Sequence, residues 1–160
     1  MEFLDDPAQF HRLDDMLAET DPEARRELYL VVAQAAVNEG KTTVAATAAE
    51  RALASAPPGS VDEARGRLYR GAALAVTSDG LDAAMSELGK VNRGGLPRTD
   101  AALLQAATET AMLIRTAAAA AGAAHALPVE AAPDDETPSA TVTRARDAIA
   151  AIDTLLEQAQ

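Results

Sequence analysis

His11, Asp14 and Asp15 fall within one short stretch, and a histidine with two carboxylates is a set that could hold a divalent metal. His11 and Asp15, four residues apart, share a helix face. The stretch supplies no third ligand on that face and no second shell to orient the imidazole, so we read it as a solvated helix face. Asp134-Asp135-Glu136 offers hard oxygen ligands, yet neither the glycine turn nor the spaced donors of a calcium loop accompany it, and it reads as part of a solvated linker. Gly40-Lys41-Thr42 looks like the end of a phosphate-binding loop. Ala35 stands where the earlier glycine is needed and no strand precedes it, so the match is read as chance. His125, inside an alanine run, reads as a surface or helix-end residue. Serines and threonines are scattered without a partnered base. The absence of cysteine removes thiolate ligands, a Cys nucleophile and disulfides. No catalytic residue, metal ligand set or cofactor site emerges, and the reading is of a protein that is not an enzyme.

The pattern that does emerge is a repeat. Glu23-Ala24-Arg25 returns forty residues later as Glu63-Ala64-Arg65, Leu28-Tyr29 as Leu68-Tyr69, Gly40 as Gly80 and Pro57 as Pro97. Alanine matches alone would mean little in this composition, so the weight rests on Tyr, Arg, Gly and Pro. A fixed period of this size marks stacked helical hairpins, each buried only by its neighbours, and such arrays bind other proteins more often than they run chemistry.

The residues must sit on helices. Asp6-Pro7 opens a short helix to about residue 19. Thr20-x-x-Glu23, with Pro22 in the first turn, restarts the chain as a capping box, and Gly40 suits the left-handed end of that second helix. Its apolar stripe is read as Ala24, Leu28, Val31, Val32, Ala35 and Ala36. A third helix covers roughly 41–56 and ends at Pro57-Pro58-Gly59. Ser60 and Glu63 cap a fourth, with Val61, Ala64, Leu68, Ala72, Ala75 and Val76 as its stripe. A shorter helix follows Gly80, and Asn92 to Pro97 is a loop. Thr99-Asp100 is read as the cap of a helix carrying Leu103, Leu104, Ala107, Ala111 and Ile114, which runs into the alanine stretch. Residues 1–126 are therefore assigned to a helical-repeat domain and 127–139, with three prolines, to a flexible linker loop. Residues 140–160 form an amphipathic helix with Val142, Ile149, Ile152 and Leu156 on one side. That helix either folds back to cap the array, or meets its own copy, or binds a partner.

Composition agrees with an all-α fold. Nearly half the residues are apolar, but there are two Phe, two Tyr and no Trp. A core so poor in large side chains must bring backbones close, which alanine-faced helices do and a sheet does not. Acids outnumber bases 25 to 14, giving a formal charge of −11, which argues against nucleic acid and anionic membranes as partners. An acidic surface serves solubility or admits a basic partner. No apolar run is long enough to span a bilayer, and Met1 to Asp6 has no signal-peptide character, so the chain reads as cytoplasmic if complete. A monomer or a weak homodimer is expected.

Tyr29 and Tyr69 take equivalent places beside each leucine. Either they pack between repeats with the hydroxyl reaching solvent, or they line a concave groove with Arg26, Leu30 and Arg70 and touch a protein partner.

Around Gly40, the small residues Ala33, Ala45 and Ala52 and the proline Pro57 stand where a tetratricopeptide hairpin has them. In the second unit Ala73, Gly80 and Pro97 match, while Met85 and Asn92 replace two alanines. The forty-residue step also exceeds the usual 34 of that family. The architecture is expected to be a tetratricopeptide-like array of about six or seven helices with a C-terminal capping helix.

A second resemblance rests on Leu68-Tyr69-Arg70-Gly71-Ala72-Ala73-Leu74-Ala75-Val76-Thr77-Ser78-Asp79, on Asp100-Ala101-Ala102-Leu103-Leu104-Gln105-Ala106-Ala107, and on the final helix. Across about residues 10–160 the chain resembles the C-terminal half of the MotC family of flagellar motility proteins from rhizobia and related alphaproteobacteria. The resemblance implies a periplasmic helical-repeat protein, non-catalytic, that supports the stator protein MotB. Members of that family are much longer and exported, so it further implies an excised, periplasmic domain. A cytoplasmic adaptor of unknown partner is the alternative.

Overall fold

The computed structural model describes residues 7–77 and 79–125, with side-chain surroundings for 10–77 and 79–121. Six helices and no strand are found among them: α1 Pro7–Met16, α2 Pro22–Asn38, α3 Thr42–Leu53, α4 Val61–Ala75, α5 Leu81–Gly89 and α6 Arg98–His125. The linker 127–139 and the helix expected over 140–160 lie outside the described residues. The chain divides into two compact units, 1–111 and 112–160, the first of which carries the repeat.

Local chemistry explains where these helices begin and end. Asp21 is the N-cap of α2, its carboxylate accepting from the N–H groups of Glu23 and Ala24 at 3.0 and 3.2 Å, so the cap falls one residue later than the expected Thr20. At the other end Gly40 takes φ 70°. Lys41 N–H donates to Ala36 O at 2.8 Å and Gly40 N–H to Val37 O at 3.1 Å, the paired bonds of a Schellman ending. Ser60 caps α4 by accepting from Glu63 N–H at 3.1 Å, while the Glu63 carboxylate reaches back to Gly59 N–H at 2.6 Å. Gly80, the repeat equivalent of Gly40, instead has φ −90° and starts α5, so the two turns are built differently.

Packing follows chain order. α2 lies on α3, α3 on α4 and α4 on α5, and α2 also touches α4, which is the neighbour scheme of a helical array. The middle helix α3 turns Val44, Ala45, Ala48, Ala49 and Ala52 inward, all buried. Glycine brings α4 close to both partners. A Cβ on Gly66 would stand 2.8 Å from Leu53 Cγ of α3, and one on Gly71 2.7 Å from Leu88 Cγ of α5. Phe10, with Leu13 and Leu17 packed beside it, brings the α1 region into the same core, and Leu104 and Ala107 bring α6. Ala75, Ala84 and Ala111 form a second small cluster joining α4, α5 and α6.

The buried stripe of α2 differs from the one expected. It consists of Arg26, Tyr29, Leu30, Ala33 and Ala36, whereas Leu28 is 38% exposed and Val31 faces solvent. On α4 the expected stripe holds at its centre, with Leu68 fully buried, but Val61 and Val76 at its ends are exposed. Residues forty apart therefore share an environment at Tyr29 and Tyr69 and lose it at Leu28 and Leu68. The cause is position in the stack: α4 has a helix pair on each side, while α2 packs through the face that carries Tyr29 and Leu30. In the second unit the described part of α6 carries exposed Met112, Leu113 and Ile114.

Candidate protein-binding groove

The first unit holds a shallow cavity of about 250 Å³ where the ends of α2 and α4 meet α6. Val37 and Thr42 form one wall, Ala72 and Val76 the floor and rim, and Leu103 and Ala106 the opposite wall. Its lining has no charged side chain. Small-molecule sites enclose roughly 300–1,000 Å³ with a few convergent polar groups, so this space suits one or two aliphatic side chains of a partner better than a substrate. Gly40, in the left-handed turn between α2 and α3, also lines it.

Beside the groove, one buried carboxylate organises the inner helices. Asp100, in the first turn of α6, is 2% exposed. It accepts a hydrogen bond from Tyr69 Oη of α4 at 2.9 Å, and Arg65 Nε, also of α4, lies 3.3 Å from its other oxygen. Gln34 Nε2 of α2 approaches at 3.5 Å. Arg65 further pairs with Glu27 of α2 at 3.3 Å and sits over the Tyr69 ring, 5.9 Å from its centroid. Asp100 is thus no helix cap, as its sequence position suggested; its side chain is turned inward and spent on α4 and α2. Burial is the main cause that pushes the Tyr69 hydroxyl up to about 12 from 10.0; the bond to Asp100 acts in the same direction and Arg65 opposes it.

Of the five residues proposed from sequence as a partner-binding set, Arg26, Tyr29, Leu30 and Tyr69 are buried and Arg70 is partly exposed. Tyr29, Leu30 and Tyr69 are buried core residues, and neither tyrosine hydroxyl reaches solvent. Tyr29 donates to Asp14, which also accepts from Arg51 Nε at 3.1 Å, and its pKa too is pushed to about 12, by burial first and Asp14 second. Arg26 donates to Asp62 at 2.6 Å and to Ser55 O at 3.1 Å, tying α2 to α4 and to the turn after α3. Arg70 bridges Glu50 of α3 and Glu87 of α5 at 3.0 and 3.5 Å. Burial takes Arg26, Tyr29, Leu30 and Tyr69 out of a groove wall, while the Arg70 side chain stays 33% exposed where it bridges α3 and α5. In sequence, the groove-lining residues Val76, Leu103 and Ala107 read as members of core stripes.

Of the three residues weighed as metal ligands, Asp14 is engaged by Tyr29 and Arg51, and His11 and Asp15 are exposed. Among the described residues no cluster of His, Asp and Glu could hold a metal ion, and no helix is long and apolar enough to cross a membrane.

The family model described as chemotaxis protein MotC matches residues 1–160, the full length of the chain. The chain belongs to the MotC family. No curated protein and no solved structure matches it. For a MotC-family chain, a motility- or chemotaxis-related role is the setting in which an uncharged groove on an acidic helical array has to be understood.

Proposed function

We propose that this MotC-family chain is a non-catalytic, periplasmic binding module of the flagellar motor that receives a segment of the stator protein MotB. The groove formed by Val37, Ala72, Val76, Leu103 and Ala106 carries this reading: it is preformed, apolar, and sized for side-chain anchors. An amphipathic helix presenting two aliphatic residues fits it, and basic residues on the flanks of that helix complement a chain of net charge −11. Family membership supports the motility setting, and the residues around the groove offer no group for covalent or acid–base chemistry.

The test is titration of the purified chain with the periplasmic part of MotB, in parallel with the variant Val76→Asp. Val76 is 58% exposed at the rim, so a carboxylate there leaves the fold intact and repels an aliphatic anchor. We expect saturable binding by the native chain and at least a tenfold loss for the variant, equivalent to about 1.4 kcal/mol. Absence of binding by the native chain at concentrations on the order of tens of micromolar removes MotB as the partner. Cell fractionation of the source organism tests the periplasmic location, and recovery of the native protein only with cytoplasmic markers refutes it.

A further inference from the structure

The inner face of α6 in the first unit reads Asp100, Leu104, Ala107, Ala111, steps of four, three and four that place one buried carboxylate at the head of a stripe with one leucine followed by two alanines. Alanine faces pack closely but have little relief, so a neighbouring helix can slide or rotate over them with small change in contact. Buried polar groups are the best-attested means of fixing register in such seams. We infer that Asp100, gripped by Tyr69 and Arg65 and approached by Gln34, is a register pin that sets where the first part of α6 lies on α4, and thereby fixes the width of the groove. Three observations bear on it. Asp100 is buried, and its partners come from two different helices, α4 and α2. Leu103 and Ala106, on the groove wall, follow within two turns on the same helix, so any slip of α6 carries them along. Arg65 keeps Glu27 as a second partner, so the assembly is a shared clasp across three helices and not an isolated pair.

The inference concerns geometry, and only its consequence for binding rests on the proposed groove. The test therefore needs no partner. The chain has no cysteine, so spin labels can be placed at Asn38→Cys on α2 and Ala102→Cys on α6, both exposed positions. Pulsed dipolar spectroscopy on the full chain is expected to give one narrow distance. In the background of Asp100→Leu with Tyr69→Phe, which replaces both hydrogen-bonding partners by apolar groups of similar shape, the chain is expected to fold with a cooperative melt. Its distance distribution is expected to broaden or gain a second population, displaced by about one helical turn, 5.4 Å. Asp100→Asn, which keeps the shape and removes the charge, is expected to broaden it less. A single unshifted distance in folded variants overturns the inference. So does loss of folding in both variants, because the carboxylate would then be a stability element and not a pin. Failure of MotB to bind leaves this outcome untouched.

Discussion

Leu68→Asp and Leu28→Asp form the most demanding pair of perturbations, because the sequence treats the two leucines as equivalent and the structure does not. Leu68 is fully buried between α4 and its neighbours, and Leu28 is 38% exposed on α2. Truncating a buried leucine costs about 2–5 kcal/mol through lost transfer energy and the cavity left behind. An unpaired carboxylate in the same place adds several kcal/mol more, or must bind a proton to avoid it. A total above about 5 kcal/mol approaches the whole stability of a domain this size, roughly 5–15 kcal/mol. For Leu28 the carboxylate stays hydrated, and partial loss of burial plus poorer helix propensity sum to about 2 kcal/mol. Urea unfolding at pH 7 followed by circular dichroism at the helix band measures both. We expect Leu68→Asp to be unfolded or nearly so without denaturant, and Leu28→Asp to retain a cooperative transition at modestly lower urea. Equal losses in the two variants would refute the placement of α2 and restore the simple forty-residue equivalence.

Three other outcomes follow from the same structure. Asp100→Ala strands the Tyr69 hydroxyl in the core and should cost about 3 kcal/mol, whereas Tyr69→Phe leaves Asp100 its Arg65 partner and should cost about 1 kcal/mol; thermal melts of the two singles and the double give the coupling. At Gly80 an added Cβ would meet Thr77 Oγ1 at 2.2 Å and Leu74 O at 2.7 Å, so Gly80→Ala should destabilise by about 1–3 kcal/mol, while Gly89→Ala, with open space around it, should gain about 0.5 kcal/mol in the same assay. Because burial pushes Tyr29 and Tyr69 up to about 12 in the fold from 10.0, the unfolded chain releases their protons first as pH rises; the stability these two groups contribute should be full below pH 10 and be lost between 10 and 12, with tyrosinate absorbance and helix loss appearing together.

The helical class and most helix ends were legible because caps are local. Asp21-Pro22, Ser60 with Glu63, Gly40 and Pro57 act within one turn of chain, and each acts in the structure near where the sequence puts it. The stripe of α2 was not legible for a physical reason. In a helix made largely of Ala, Val and Leu, two stripes are nearly equal in hydropathy, and the one chosen by the fold contains Arg26 and Tyr29, whose polar groups are satisfied by Asp62, Ser55 O and Asp14 from other segments. Thr99-Asp100 before an apolar run fits a helix cap, yet Asp100 is the third residue of α6. The signal that identifies its real place is its phase: it lies four, seven and eleven residues before Leu104, Ala107 and Ala111, squarely on the buried side. The groove lacked any sequence signal, since its walls come from three segments and its residue types are those of the core.

The alanine face of α3 has a thermodynamic consequence. Ala45, Ala48, Ala49 and Ala52 freeze no rotamers on folding and hide little carbon surface each. Heat capacity of unfolding scales with the apolar area exposed, so this unit should melt with an increment at the low end for its length, about 12 cal/mol/K per residue. Its free-energy curve is correspondingly flat, so its stability stays nearly constant as the temperature changes.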